Sequence, residues 1–428
     1  MVAVTSSHLA GADLRDEGLG HEERTLAVLR PVPRISVQAF CESEEVRAAI
    51  EQAGQDRRMA KAHVRVQQGG IRAALEHYAG APTPNLMILE SRLEATALLA
   101  ELETLSEVCD PGSKVIIVGH HNDIFLYREL TRRGISEYLV APVLLSDIIS
   151  IISQIFVAPD AEPLGRTLAF VGAKGGVGSS TIAHNVAWSI ARQLSSEVLL
   201  ADLDLPFGTA NINLDQDPAQ GIAEALFSAD RMDDALLDRL LAKCAERLSL
   251  LAAPSILDRT YDFQSDAFAT LIEAAQRSTP FVVLDVPHGW NDWTRSVLTQ
   301  ADEIVITASC DLANLRNAKN LVDTLRKSRP NDRPPRLILN QIGVPKRPEI
   351  APDEFLDPLG LSALATIGFE PQLFGTAANN GRMLSETDAK HPVNETVSGI
   401  ARALTGRGNE KRAKRTGRAS LLDLIRRK

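Results

Sequence analysis

The sequence predicts an α/β protein with two doubly wound, mostly parallel sheets, one after the other along the chain. Three observations predict it. Short apolar runs alternate with segments of helical period in two successive series, the pattern of a parallel sheet covered on both faces. A proline-bearing break, Ala158-Pro-Asp-Ala-Glu-Pro163, separates the two series. The 428 residues, 44% apolar and 24% charged, suit a globular chain of two or three domains.

Residues 1–33 are polar, carry scattered charge and end in Pro31-Val-Pro33, so they read as a flexible leader. A first domain spans 34–158. Its strands are expected at Ile35–Phe40, Leu86–Leu89, Lys114–Val118 and Glu137–Val140. Residues 43–54, 69–79, 92–106, 123–133 and 145–157 show helical period between and after them. The greasiest stretch, Leu144–Ala158, is interrupted by Ser146, Asp147, Ser150, Ser153 and Gln154, which makes it an amphipathic helix and not a membrane span. A linker at 159–165 leads to a second domain at 166–405. Its strands are expected at Thr167–Val171, Val198–Asp202, Leu248–Ala252, Phe281–Asp285, Glu303–Ile306, Arg336–Asn340 and Ala363–Ile367. Ser180–Gln193, Phe263–Gln276 and Ala313–Lys327 are its clearest helices. Residues 406–428 form a basic tail.

The strongest motif is Phe170-Val-Gly-Ala-Lys-Gly-Gly-Val-Gly-Ser-Ser-Thr-Ile182. A buried strand enters a glycine-rich turn that opens a helix at Ser179. Gly175, Gly176 and Gly178 let the backbone approach a ligand closely and aim successive N–H groups at one point, and the helix N-terminus adds its positive end. The run Lys174–Thr181, with Val177 between the glycines, therefore reads as a phosphate cradle. It departs from G-x-x-x-x-G-K-[ST] at Ala173 and at Ser179, where the lysine belongs. Ser180 takes the Mg²⁺-ligating hydroxyl position, and Lys174 brings a cation from the other side of the loop. Two acidic strand ends follow. Val198-Leu-Leu-Ala-Asp-Leu-Asp204 ends in carboxylates on alternate residues, expected on one side of the strand's C-terminal end. Phe281-Val-Val-Leu-Asp-Val-Pro287 leads four apolar residues into Asp285, the pattern that holds Mg²⁺.

The early lysine in Lys-Gly-Gly-Val-Gly-x-[ST]-Thr resembles the deviant phosphate loop of the MinD/ParA family of P-loop ATPases. The resemblance implies ATP and Mg²⁺ as cofactors. It casts Lys174 as the cation that reaches a partner's nucleotide in a homodimer, and Asp204 as the residue that positions attacking water. Asp202 joins Ser180 and Asp285 on the metal side, and Arg336-Leu-Ile-Leu-Asn340 ends in an adenine-reading Asn340. The lysine missing at Ser179 implies weak or no hydrolysis. Longer stretches resemble the CpaE/TadZ branch of Tad (Flp) pilus assembly: the loop with its serine, Asp202-Leu-Asp-Leu-Pro-Phe-Gly208, Asp311-Leu-Ala-Asn-Leu-Arg-Asn-Ala-Lys-Asn320 and Phe374-Gly-Thr-Ala-Ala-Asn-Asn-Gly381. The first domain resembles a response-regulator receiver whose chemistry is stripped. Cys41-Glu42 stands where paired acids belong, Glu90 replaces the phospho-acceptor Asp, Gly119 lies near the hydroxyl position, and Ala141 before Pro142 replaces the lysine. Such a pseudo-receiver docks or dimerises without a phosphorylation relay, and Tyr138–Leu145 with the following helix is the expected contact face.

Net charge is −9, unevenly spread. From Arg407 to Lys428 there are nine Lys/Arg and two Asp/Glu, while the remainder holds 37 basic and 53 acidic residues. An acidic body is not a general nucleic-acid binder, and no specific nucleic acid is expected. Four scattered cysteines, Cys41, Cys109, Cys244 and Cys310, with no C-x-x-C pair, fit a reducing cytosol. The first thirty residues hold no apolar signal core. Ser420-Leu-Leu-Asp-Leu-Ile-Arg-Arg-Lys428 reads either as a solvated tail or as a segment for membrane-surface contact, and the resemblance implies a cytoplasmic protein that is polar and peripheral at the inner membrane. The resemblance thus implies a localisation factor that binds ATP–Mg²⁺, dimerises, and positions the pilus secretion ATPase and other Tad components. The alternatives are a ParA-like partition ATPase acting on nucleoid DNA and a nucleotide-free structural scaffold.

Overall fold

The computed structural model describes residues 29–157, 164–257 and 260–407, in two compact units. Most of the expected leader, residues 159–163 of the linker, the basic tail from 408 and the 420–428 segment lie outside the described residues. One part of the leader needs correcting. Val32 is fully buried, and its N–H donates to the Arg58 carbonyl at 2.7 Å, so ordered packing begins before Arg34. The two flanking prolines mask a single apolar residue that the core uses.

The first unit has strands β1 (Ser36–Cys41), β2 (His63–Gln68), β3 (Leu86–Ser91), β4 (Lys114–Gly119) and β5 (Glu137–Val140), in the order β2-β1-β3-β4-β5, all parallel. Its helices are α1 (Glu44–Gly54), α2 (Gly70–Tyr78), α3 (Ala95–Ser106), α4 (Ile124–Arg132) and α5 (Leu145–Phe156). Strand periodicity splits the core in two. Val37, Leu86, Ile88, Ile116 and Val118 meet α1 and α5, whereas Phe40, Met87, Leu89 and Ile117 meet α2, α3 and α4. β2 escaped the sequence reading. It is an edge strand whose residues are exposed or half-buried, and His63-Val-Arg-Val-Gln-Gln68 offers only two valines.

The second unit holds β6 (Arg166–Gly172), β7 (Val198–Asp202), β8 (Ala242–Ala245), β9 (Leu248–Leu251), β10 (Phe281–Val286), β11 (Glu303–Ala308), β12 (Arg336–Ile342) and β13 (Ala363–Gly368). They run β13-β12-β11-β6-β10-β7-β9-β8. Seven lie parallel and β8, also unforeseen, pairs antiparallel to β9 at the edge. With one weakly apolar turn of sequence, Ala-Lys-Cys-Ala, β8 carries little strand signal of its own. The helices are α6 (Ser179–Arg192), α7 (Ala210–Asn213), α8 (Ile222–Phe227), α9 (Asp234–Leu240), α10 (Ser265–Ser278), α11 (Asp292–Gln300), α12 (Leu312–Ser328), α13 (Pro352–Leu356), α14 (Pro371–Asn379), α15 (Leu384–Thr387) and α16 (Pro392–Thr405).

Again each strand feeds two cores. Ala169, Val171, Leu199, Val282 and Leu284 face one, and Leu168, Phe170, Leu200 and Val283 face the other with α6 and α16. α6 packs against the sheet along its length, with Ile182, Ala183, Val186, Ala187, Ile190 and Ala191 all buried. Burying each Ile or Val of this set is worth about 1.5–3 kcal/mol, so the helix is held firmly against the sheet. Parallel strands place all their C-terminal ends on one edge. β6 sits centrally, with its successor β7 beyond β10 and β11 on its other flank, so the crevice outside its end is the fold's switch point.

Candidate functional site

At that crevice the backbone leaves β6, turns through Ala173–Gly178 and enters α6. Gly176 and Gly178 have φ of +81° and +86°, a left-handed conformation that a side chain would strain. Gly178 is also the N-cap of α6 and supplies no side-chain cap, so the first N–H groups of the helix point into the crevice without one. The loop is braced from β12. Asn340 donates its Nδ2–H to the Val177 carbonyl at 2.8 Å, and Gln341 donates Nε2–H to the Gly176 carbonyl at 3.0 Å. Gln341 itself sits at φ +57°, with its carbonyl accepting from Arg347 at 2.6 Å. From the other flank Asn317 Nδ2 donates to the Ala173 carbonyl at 2.9 Å, and His288 Nδ1 to the Gly172 carbonyl at 2.9 Å. A cavity of about 470 Å³ opens here, lined by Lys174–Thr181, Asp204, His288, Asn340, Gln341, Phe369, Glu370 and Phe374.

Within the loop, Gly175 and Gly176 are exposed, Val177 is buried, and Thr181 lies just inside the helix. Lys174 is exposed at the cavity mouth, and its charge helps hold the Asp311 carboxyl below its usual range. Burial opposes that shift, and hydrogen bonds from Asn314 outweigh it. Ser179, in the lysine position, is buried, and its Oγ has no hydrogen-bond partner. Ser180 Oγ–H donates to Asp285 Oδ1 at 3.1 Å, so the hydroxyl and the strand-end acid meet. Asp285 is paired in register with Asp202 on the next strand.

The two acids of Asp202-Leu-Asp204 do not act as a matched pair on a strand. β7 ends at Asp202, and Asp204 falls in the following turn, which corrects the expectation of two carboxylates on one strand face. Asp202 is fully buried. Its Oδ1 accepts the Asp204 N–H at 3.2 Å and its Oδ2 the Ala210 N–H at 3.0 Å. Burial, reinforced by the charge of Asp285, pushes the Asp202 carboxyl up to about 7 against the opposing effects of His184 and the two N–H donors. Asp204 lines the cavity, and burial raises its carboxyl too. Among the described residues there is no group of three or more His, Cys, Asp or Glu arranged to hold a metal ion. A hydroxyl and one or two carboxylates nevertheless match Mg²⁺, which keeps several waters and takes phosphate oxygens rather than an all-protein cage. The cradle and the orphaned buried Ser179 hydroxyl likewise fit a phosphate group.

His184, Asn213, Gln341 and His288 were not foreseen. Only His184 carried a signal: it lies one turn after Ser180 on α6, on the same face. The others, Asn213 at the end of α7, Gln341 in β12 and His288 after β10, are brought in from distant sequence.

In the first unit the strand-end acids also converge. Glu90 is fully buried at the end of β3. Its Oε2 accepts the N–H groups of Glu42 and Ser43, both at 2.8 Å, and its Oε1 accepts Ser43 Oγ–H at 2.6 Å and meets His120 Nε2 at 2.9 Å. Burial would raise this carboxyl, but these hydrogen bonds outweigh it and hold it below its ordinary value. Glu42 Oε2 accepts the Arg92 N–H at 3.2 Å. Ala141 contributes only a methyl group, and its N–H goes to the Gly119 carbonyl at 2.8 Å. Glu90 is thus a buried carboxylate held by its own donors.

Comparison with known proteins matches residues 165–335 to a family model described as an AAA domain. In its N-terminal part the chain is 45% identical to a pilus assembly protein CpaE from Caulobacter crescentus CB15, covering 98% of that chain and 30% of this one with a TM-score of 0.30. It is 43% identical to a putative CpaE2 pilus assembly protein from Sinorhizobium meliloti 1021, covering 99% of that chain and 28% of this one, TM-score 0.28. The identity over nearly the whole of both chains carries this relation. A ParA family ATPase from Chlorobium tepidum TLS is 25% identical, with 98% of that chain and 55% of this one covered and a TM-score of 0.51. The septum site-determining protein MinD of Synechocystis is 25% identical over 254 residues, 90% of its length and 57% of this chain.

Proposed function

Because the chain belongs to the CpaE pilus assembly proteins and carries a P-loop domain of the MinD/ParA class, we propose that it is a nucleotide-switched localisation factor. In this reading it binds ATP with Mg²⁺, pairs as a homodimer around the nucleotide, and positions the pilus secretion ATPase and other Tad components at one cellular address, with weak or no hydrolysis. One observation carries the reading: the braced glycine loop and its uncapped helix start line one cavity with Asp204, and Ser180 of that helix start is bonded to the strand-end acid Asp285.

The residues divide the work. Backbone N–H groups from Gly175 to Thr181 cradle phosphate oxygens, and the Asn340 and Gln341 amides keep the loop in shape for them. Ser180 and Asp285 take the metal side, with Asp202 adding its charge from the neighbouring strand. The metal, when bound, neutralises phosphate charge. Asp204 reaches the cavity where water would be oriented. Lys174 supplies the cation that the loop's serine does not. Phe369, Phe374 and the Asn340 carboxamide form the wall suited to a base, although the Asn340 amide donor is committed to the loop. The Glu90 hydrogen bonds support a first unit that docks rather than relays phosphate. Among the described residues no helix is long and apolar enough to cross a membrane; peripheral attachment through 420–428 is part of the proposal.

Calorimetric titration of the purified chain with ATP, with and without Mg²⁺, tests the reading. Micromolar binding strengthened by Mg²⁺, with turnover far below that of a lysine-bearing relative, is the expected result. A second reading, a scaffold with no nucleotide, is favoured by the absence of the loop lysine, whose position Ser179 takes. Dimerisation without any ATP binding would select it.

A further inference from the structure

His184 is buried in the middle of α6, a helix that also buries Ile182, Ala183, Val186 and Ala187, with none of its surface exposed. An imidazole there is costly unless both nitrogens are used, and both are. Nε2 lies 3.1 Å from Asp285 Oδ2, and Nδ1 lies 3.1 Å from the Nδ2 of Asn213. With the Asn213 amide nitrogen facing Nδ1, the ring accepts there and donates its Nε2–H to Asp285. The other Asp285 oxygen takes the Ser180 hydroxyl. Both oxygens of this carboxylate are therefore held, which fixes its plane with respect to Ser180.

Asn213 is the last residue of α7, and the first, Ala210, donates its N–H to Asp202 Oδ2 at 3.0 Å. This single-turn helix is thus tied at its start to one buried strand-end acid and at its end, through His184, to the other. Between β7 and α7 runs the turn that carries Asp204 and the exposed Phe207.

We infer that His184 is a positioning residue that orients Asp285 for the metal side of the cavity and couples that carboxylate to the Asp204-bearing segment through Asn213. Supporting groups of this kind typically change metal affinity 10–100-fold when removed. The metal part of this inference rests on the proposed ATP–Mg²⁺ function; the tether to α7 does not.

Two readouts on the full chain test it. Calorimetry compares ATP affinity with and without Mg²⁺ for wild type, His184→Leu and His184→Gln. The leucine variant is expected to lose about 10–100-fold of the Mg²⁺-dependent gain while keeping metal-free ATP affinity. Glutamine, which can present an N–H near the Nε2 position, is expected to restore most of it. Hydrogen exchange on the nucleotide-free protein compares wild type with Asn213→Ala, whose side chain is only half-buried and whose loss leaves the His184–Asp285 bond in place. Faster exchange across 203–213, with the Mg²⁺ effect retained, is expected. An unchanged Mg²⁺ effect in a folded His184→Leu protein would overturn the orienting role. Unchanged exchange in Asn213→Ala would overturn the coupling, whether or not the leucine variant folds. If wild type binds no ATP at all, the proposed function and the orienting role both fail, and the exchange result alone judges the tether.

Discussion

Ser179 and Lys174 show how much a single position can shift the chemistry of a shared cradle. The serine hydroxyl is buried with nothing to bond, and a lysine there would put a charge beside the phosphates, where one well-placed group is worth orders of magnitude in rate. Ser179→Lys should raise ATP turnover by about tenfold or more, measured by phosphate release; no increase would place the handicap elsewhere. Lys174 stands exposed at the cavity mouth. Lys174→Ala should weaken ATP-dependent dimerisation by about tenfold, the scale of one charged contact at an interface, while leaving the ATP-free state unchanged in sedimentation. Asp202 yields a pH test. Its carboxyl, raised from 3.8 to about 7 chiefly by burial, holds its proton more tightly in the folded chain than in the unfolded one. Stability from this group is fully present below about pH 4 and is lost as pH rises through about 7. Relative to Asp202→Asn, the wild type should therefore melt higher at pH 5 than at pH 8, and parallel pH profiles would show the acid ionised throughout.

At the level of elements, the two sheets show why strand ends, and not strand centres, separate function from packing. Centres of β3, β6 and β10 are continuous apolar runs, legible because both faces are covered. Edges are less legible: β2 and β8 carry too little apolar signal, and their pairing comes from a neighbour already in place. In the first unit, Gly119 ends β4 where a Cβ would fall 2.1 Å from the Tyr138 hydroxyl. That hydroxyl donates to the His121 carbonyl at 2.8 Å, with the ring buried against α4 and its neighbours. The space a side chain at Gly119 would fill is thus the space that β5 uses for its tyrosine. Gly119→Thr should expel the ring and cost about 1–3 kcal/mol, seen as a lower melting temperature and loss of near-ultraviolet tyrosine dichroism. An unaltered spectrum would mean the strand shifts to make room.

Across the whole molecule, each unit closes its own pair of cores. Val37, Ile88 and Ile149 belong to one set, and Val171, Leu284 and Ile306 to another. A chain of this kind should yield residues 29–157 as a separately folding protein with one cooperative thermal transition. A fragment with no transition would show that the first unit depends on the second.

By itself the sequence determined the two-sheet α/β architecture, the glycine loop and its missing lysine, and the acid Glu90 at the end of a buried strand. All are local: periodicity, glycine spacing and the identity of one residue at a strand end. Tertiary structure alone decided what those residues touch. It moved Asp204 off the strand, committed the Asn340 amide to the loop, gave Glu90 its own donors, and joined His184 to Asp285 and Asn213. These contacts bring together residues 29 to 163 positions apart, where spacing carries no signal and only the packing of strands and helices sets the distance.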